Sequence, residues 1–201
     1  MKGGILCFLC VLAQCRAAAI DKECKIIEML SEKLHYENRT KYMQDYFPID
    51  YRLYVKYEDV LRCENVTTLL QNNKGIAREE LRYLWGIVNE SILLSIKQVL
   101  RENHPTWKYI EELQTIFLKL LEGDHQEEVE NTVVKEILER RGEPLDKAKA
   151  KAVTPKALLD NCFRVLYALY GDDCRLYNAS MSLPMRAARN CLTRVGQIRI
   201  P

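Results

Sequence analysis

Ile49-Asp50-Tyr51-Arg52-Leu53-Tyr54-Val55-Lys56-Tyr57-Glu58 alternates strictly. Ile49, Tyr51, Leu53, Val55 and Tyr57 fall on one face, and Asp50, Arg52, Tyr54, Lys56 and Glu58 on the other. A period of two held over this length predicts a half-buried strand. It lies within the aromatic stretch Tyr42–Thr67, and almost every other periodic segment of the 201-residue chain reads as helix. A strand inside a long connection between helices narrows the fold sharply.

Four main helices surround that connection. The first runs from about Asp21 to His35, with Ile27, Leu30 and Leu34 at helical spacing, and a short helical piece follows near Thr40–Tyr46. The second spans about Ala77–Glu102 along the stripe Leu81, Leu84, Trp85, Val88, Ile92, Ile96 and Val99. The third starts at Pro105 or Thr106, where proline suits a first helical turn. It carries Ile110, Leu113, Phe117, Leu120 and Leu121 and stops at Gly123. A shorter helix, Gln126–Arg140, bears Val129, Val133 and Ile137. The fourth main helix begins at Thr154-Pro155, a capping residue followed by proline. Its inner face is Leu159, Cys162, Phe163, Leu166 and Tyr170.

Connection lengths set the topology. The second and third helices are a few residues apart and must be antiparallel neighbours. The other two connections each span about thirty residues or more, the arrangement of an up-up-down-down four-helix bundle. The alternating strand falls in the first crossover. A strand without a partner would leave its backbone groups unpaired, so the segment around Val153, in the second crossover, is expected to pair with it. The predicted fold is all-α, with extra short helices and a small β ribbon between the crossovers.

The N-terminus reads as a targeting segment. Lys2, the apolar run Ile5–Ala13 and the small-residue site Ala17-Ala18-Ala19 form a secretory signal, and the run is too short to span a membrane. With cleavage after Ala19, residues 20–175 form one domain and residues 176–201 a basic tail. Loss of Lys2 and Arg16 takes the net charge of +2 to zero, which argues against a nucleic-acid-binding chain. Cys7, Cys10 and Cys15 leave with the signal; Cys24, Cys63, Cys162, Cys174 and Cys191 remain. Secretion favours disulfides, and an odd count leaves a free or intermolecular thiol. Four sequons, at Asn38, Asn65, Asn89 and Asn178, fit the same route. Asn65, in a polar connection, is the best candidate, whereas Asn89 falls inside a predicted helix.

Several segments together resemble the interleukin-34 family. They are Tyr42-Met43 through Phe47-Pro48-Ile49, Tyr57-Glu58, Asn65-Val66-Thr67, Glu80-Leu81-Arg82-Tyr83-Leu84-Trp85, His104–Tyr109 and Pro155–Val165. The likeness covers about Cys24–Cys174. It implies a short-chain helical cytokine, a homodimer, and agonism at the macrophage colony-stimulating factor receptor, a tyrosine kinase of myeloid cells. It also implies a disulfide from Cys24 to Cys174. The chain departs from the family pattern at Gly171-Asp172-Asp173, where the family has cysteines, and its tail is short. Cys63 is an addition, and Cys191 lacks its usual partner. Of the remaining cysteines, Cys63 and Cys191 are expected to pair with each other or between chains, with Cys162 read as a small buried hydrophobe.

The helical wheel leaves residues that the core does not need. Trp107 and Leu118 sit about a quarter turn from the third helix's stripe, beside Glu111, Thr115, Lys119 and Glu122 (about 100° per residue). On the second helix Leu93, Leu94 and Leu100 leave the stripe, with Lys97 among them. Two readings fit these residues: an interface patch, or a surface covered by the crossovers. In the first, Trp107, Leu118 and Leu100 are anchors and Lys97, Thr115, Lys119 and Glu122 a polar rim, placed where the resemblance implies receptor contact. Tyr46, Phe47 and Tyr54 either join two subunits or close one bundle. The tail from Arg175 onward has five arginines and no acidic residue. It is either a solvated tail or a contact for sulfated glycosaminoglycans or proteoglycans.

Enzymatic signatures are missing from the sequence. His35, His104 and His125 are scattered without zinc-ligand spacing, and no phosphate loop, nucleophile elbow or Cys–His pair is recognisable. The carboxylate pairs Glu79-Glu80, Glu111-Glu112 and Glu127-Glu128 read as solvated helix faces. No cofactor is expected. The competing class is a secreted bundle that carries an apolar ligand.

Overall fold

A computed structural model of the chain describes residues 20–47, 51–55, 62–71, 76–122, 129–141 and 150–176. The signal segment, most of the tail, Asn178 and Cys191 lie outside the described residues. Helix α1 covers 20–33. Helix α2 (Tyr36–Thr40) runs into a π-helical turn, Lys41–Asp45. Strand β1 (Leu53–Val55), α3 (Cys63–Gln71), α4 (Arg78–Lys97), α5 (Trp107–Leu121), α6 (Thr132–Arg141), β2 (Lys151–Val153) and α7 (Pro155–Tyr170) follow.

Pairwise contacts fix the helix directions. Lys97 at the end of α4 bonds Glu111 near the start of α5, and Gly86 lies against Leu121 at the end of α5. Those helices are therefore antiparallel. Cys24, Ser31 and Arg39 meet Cys174, Tyr167 and Asp160 in turn, so α1 runs against α7. Glu23 lies beside Arg82 near the start of α4, and Lys33 bonds Glu112 near the start of α5. Hence α1 and α4 point one way, α5 and α7 the other, and the order is up-up-down-down.

The alternating segment behaves as its pattern requires where it is described. Leu53 is buried, Tyr51 and Val55 are partly buried, and Tyr54 and Arg52 are exposed. β1 pairs with β2 antiparallel, with Leu53 opposite Val153. The predicted cap of α7 is present: Thr154 Oγ1 accepts a hydrogen bond from the Ala157 N–H at 3.2 Å.

The core holds the predicted stripes of α1, α4, α5 and α7. Trp85 packs between Phe117 (ring centres 5.2 Å apart) and Tyr170 (5.9 Å). Three expectations are corrected. α4 ends at Lys97, so Val99 lies in the following turn and is exposed instead of completing the stripe. Leu93 is fully buried, because α4 packs against α5, α6 and α7 and so buries more than one stripe. α7 is buried around most of its circumference, with Leu158, Val165, Tyr167, Ala168 and Leu169 joining the predicted face.

Two buried arginines brace opposite ends of the bundle. Arg82 donates to the Leu169 carbonyl and to Asp173, lies 3.8 Å from Glu23, and covers the Tyr170 ring at 4.3 Å. Burial, followed by the nearby Glu23 charge, holds the Tyr170 phenol well above its usual range. At the other end Arg39 donates to Asp160 at 2.7 Å and to the Leu34 carbonyl, and covers Phe163 at 4.4 Å. Each guanidinium caps the last carbonyls of a helix while its aliphatic stem packs inward. Glu80, expected on a solvated face, bonds the Ala77 N–H and the N–H groups of Glu130 and Asn131, tying the second crossover to the start of α4.

Candidate functional site

The α4–α5 pair presents the surface that the helical wheel singled out. Trp107, Glu111, Thr115, Leu118 and Glu122 follow spacings of three and four residues along α5 and its C-cap, so they share one face. None of them is buried, and Leu118 is 49% exposed. Lys119 is exposed beside them. Across the groove, Lys97 places its Nζ 4.7 Å above the Trp107 ring and 3.0 Å from Glu111 Oε1. One ammonium therefore ties the end of α4 to the first turn of α5, and both its aromatic and its carboxylate partner face outward. Thr115 Oγ1 donates to the Glu111 carbonyl at 2.9 Å.

The predicted set is thus brought together except at Leu100. That residue lies in the turn after α4 and packs partly against the core, which leaves less of it to anchor a partner. Leu94 is 42% exposed and sits one turn before Lys97 on α4. The sequence signal for Leu94 was present, but Leu93 shares it, and only the packing separates the two. Glu111, read beforehand as part of a solvated face, is the partner that positions Lys97.

A polar cleft of about 310 Å³ lies around the corner, between the end of α1 and the start of α5. The Tyr42 and Tyr109 rings stack at 4.4 Å along it, and the Lys33–Glu112 ion pair at 2.5 Å forms part of its wall. Tyr109 Oη donates to the Lys33 carbonyl at 2.9 Å. Burial pushes that phenol far up, offset in part by Arg39. Thr106, fully buried, donates to the Tyr42 carbonyl at 2.9 Å and so secures the π-helical turn against the α4–α5 connection.

The cysteines and sequons sort by burial. Cys24 and Cys174 form a disulfide, with S–S 2.07 Å. Cys162 is a free, buried thiol, and burial pushes its ionisation far up. Cys63 is buried and disulfide-bonded, but the tentative pairing with Cys191 falls on a residue outside those described. Asn65 sits within α3, not in a polar connection. Asn89 is 2% exposed, and its amide donates to the Trp85 carbonyl at 2.8 Å. A glycan there would have to break that bond and displace core side chains, so Asn89 is corrected from a glycosylation candidate to a buried structural amide. Asn38 is partly exposed.

Antiparallel α4–α5, long crossovers joined by a ribbon, and an up-up-down-down order define a short-chain helical cytokine. A family model described as Interleukin 34 matches residues 17–178. The chain belongs to the interleukin-34 family, a family of cytokines and not of enzymes. No helix among the described residues is long and apolar enough to cross a membrane.

Proposed function

We propose that this chain is a secreted cytokine that binds and dimerises the macrophage colony-stimulating factor receptor tyrosine kinase. It would thereby promote survival, proliferation and differentiation of monocytes and macrophages. Family membership supports the receptor class. The observation that carries the contact surface is the outward stripe of Trp107, Thr115 and Leu118 with Lys97 held above the Trp107 ring. Partly exposed aromatic and apolar side chains ringed by charges match the composition of protein interfaces, with apolar anchors inside a polar rim. Lys119 and Glu122 complete the rim.

A two-fold homodimer presents this surface twice and brings two receptors together. Exposed Tyr46 and Tyr54 are the candidates for the subunit contact. Residues 1–19 direct export, and the tail arginines contact sulfated glycosaminoglycans. The cleft between α1 and α5 is polar, the wrong chemistry for an apolar-ligand carrier. The test adds purified chain to cells with and without the receptor and follows receptor tyrosine phosphorylation. Phosphorylation confined to receptor-bearing cells is expected; no response at saturating dose would sink the proposal.

A further inference from the structure

The polar cleft between α1 and α5 has an address written on its rim. Asn38-Arg39-Thr40 is a sequon, and Asn38 lines the cleft. Its Nδ2, the atom to which a glycan is attached, lies 3.3 Å from the Lys33 carbonyl oxygen. The Tyr109 hydroxyl, a cleft-lining group, bonds that same oxygen at 2.9 Å. The attachment nitrogen is therefore held at the cleft itself by a shared acceptor. An N-linked amide keeps one N–H, so bonding to an α1 carbonyl survives attachment of a sugar, although Nδ2 now also reaches the Glu32 carbonyl at 3.3 Å.

We infer that this cleft is a seat for the chain's own carbohydrate: the first N-acetylglucosamine on Asn38 packs into it. The chemistry of the lining suits a sugar. Tyr42 and Tyr109 both line the cleft as a stacked pair and offer a pyranose aromatic surface, with Lys41 Nζ 5.3 Å over the Tyr42 ring. Lys33, Glu112 and Lys108 offer charged donors and acceptors for hydroxyl and acetamido groups. A volume of about 310 Å³ is at the small end of ligand-sized pockets, where these typically begin at roughly 300 Å³, and accommodates one sugar ring. Thr40, the hydroxyl residue of the sequon, has its Oγ1 buried without a hydrogen-bond partner among the described residues. No described group accounts for the hydroxyl, while the sequon requires it during synthesis. A seated sugar would bridge the end of α1 and the start of α5 beside, not over, the Trp107–Leu118 stripe.

The inference rests on passage through the secretory route proposed above, and one preparation separates the two. The full chain is expressed in cells that make high-mannose glycans, and the medium is analysed by glycopeptide mass spectrometry. Glycosidase release at Asn38 is then timed on native and denatured protein. Occupied Asn38, with release at least tenfold slower from the native form, is expected. After trimming to a single sugar, nuclear Overhauser contacts between that sugar and the Tyr42 ring are expected, and Lys108→Ala should speed native release. Protein in the medium with unmodified Asn38, or with a sugar released equally fast from both forms, overturns the seat and leaves secretion standing. Absence of the chain from the medium overturns both.

Discussion

The two ends of this bundle are built around the same residue type and held by different means. At one end Arg82 gathers the starts of α1 and α4 and the end of α7, and the Cys24–Cys174 bond closes the same corner covalently. At the other end Arg39 joins the end of α1 to the start of α7. There the closure is noncovalent among the described residues: a salt bridge, the Tyr42–Tyr109 stack and the Thr106–Tyr42 bond. The proposed receptor stripe begins at this second end, with Lys97 and Trp107, and the cleft lies there too. The two ends divide the labour. The disulfide-closed end is expected to resist local opening more than the end held by noncovalent contacts.

Replacing both Cys24 and Cys174 with serine should have the largest effect. The bond spans a sequence separation of 150 residues, and the chain-entropy relation assigns such a closure about 5 kcal/mol. Chemical denaturation should show a loss approaching that size; a loss below about 1 kcal/mol would mean that Arg82 alone suffices at this end.

Arginine removal probes the contrast directly. Arg82→Met leaves Glu23 nearly buried beside an apolar side chain and should cost about 3 kcal/mol. Arg39→Met should cost less, roughly 2 kcal/mol, because Lys156 stays 2.7 Å from Asp160 and continues to neutralise it. Equal costs, measured in the same denaturant series, would remove the distinction between the ends. The smallest expected effect on folding is that of Trp107→Ala. It should leave the unfolding midpoint near wild type while weakening receptor binding by about 2 kcal/mol, roughly thirtyfold. Unchanged affinity by surface plasmon resonance would show that the stripe is ordinary surface.

Much of this architecture was legible in the sequence, since it rests on period and punctuation. Alternation around Leu53 and the cap-and-proline start at Thr154 are local signals, and they predicted the ribbon and α7. The pairing of β1 with β2 could be anticipated because an unpaired strand is costly. What escaped the sequence depends on who faces whom. Arg39, Arg82 and Asn89 are polar in the sequence, yet each is buried, with a helix carbonyl from a neighbouring turn or element accepting its hydrogen bonds. Leu93 and Leu94 are adjacent and chemically identical, and only the packing of α4 against several helices makes one core and the other surface. The same limit applies to Lys97. Its charge was visible, but its position over Trp107 required the register of α4 on α5. Asp173 is a further case: its charge was visible beside Cys174, but its place in the Arg82 clasp required the packing of α4 against the end of α7.

The Cys24–Cys174 bond has a consequence for the molecule's fate outside the cell. It makes nearly the whole bundle a covalent ring, with the β ribbon, both crossovers and all of α2–α7 inside it. A single extracellular peptidase cut anywhere in that ring opens the backbone without releasing a fragment. Shedding part of the cytokine by proteolysis then takes a second cut or a reductant, and a once-cleaved molecule still migrates as one species until the Cys24–Cys174 disulfide is reduced.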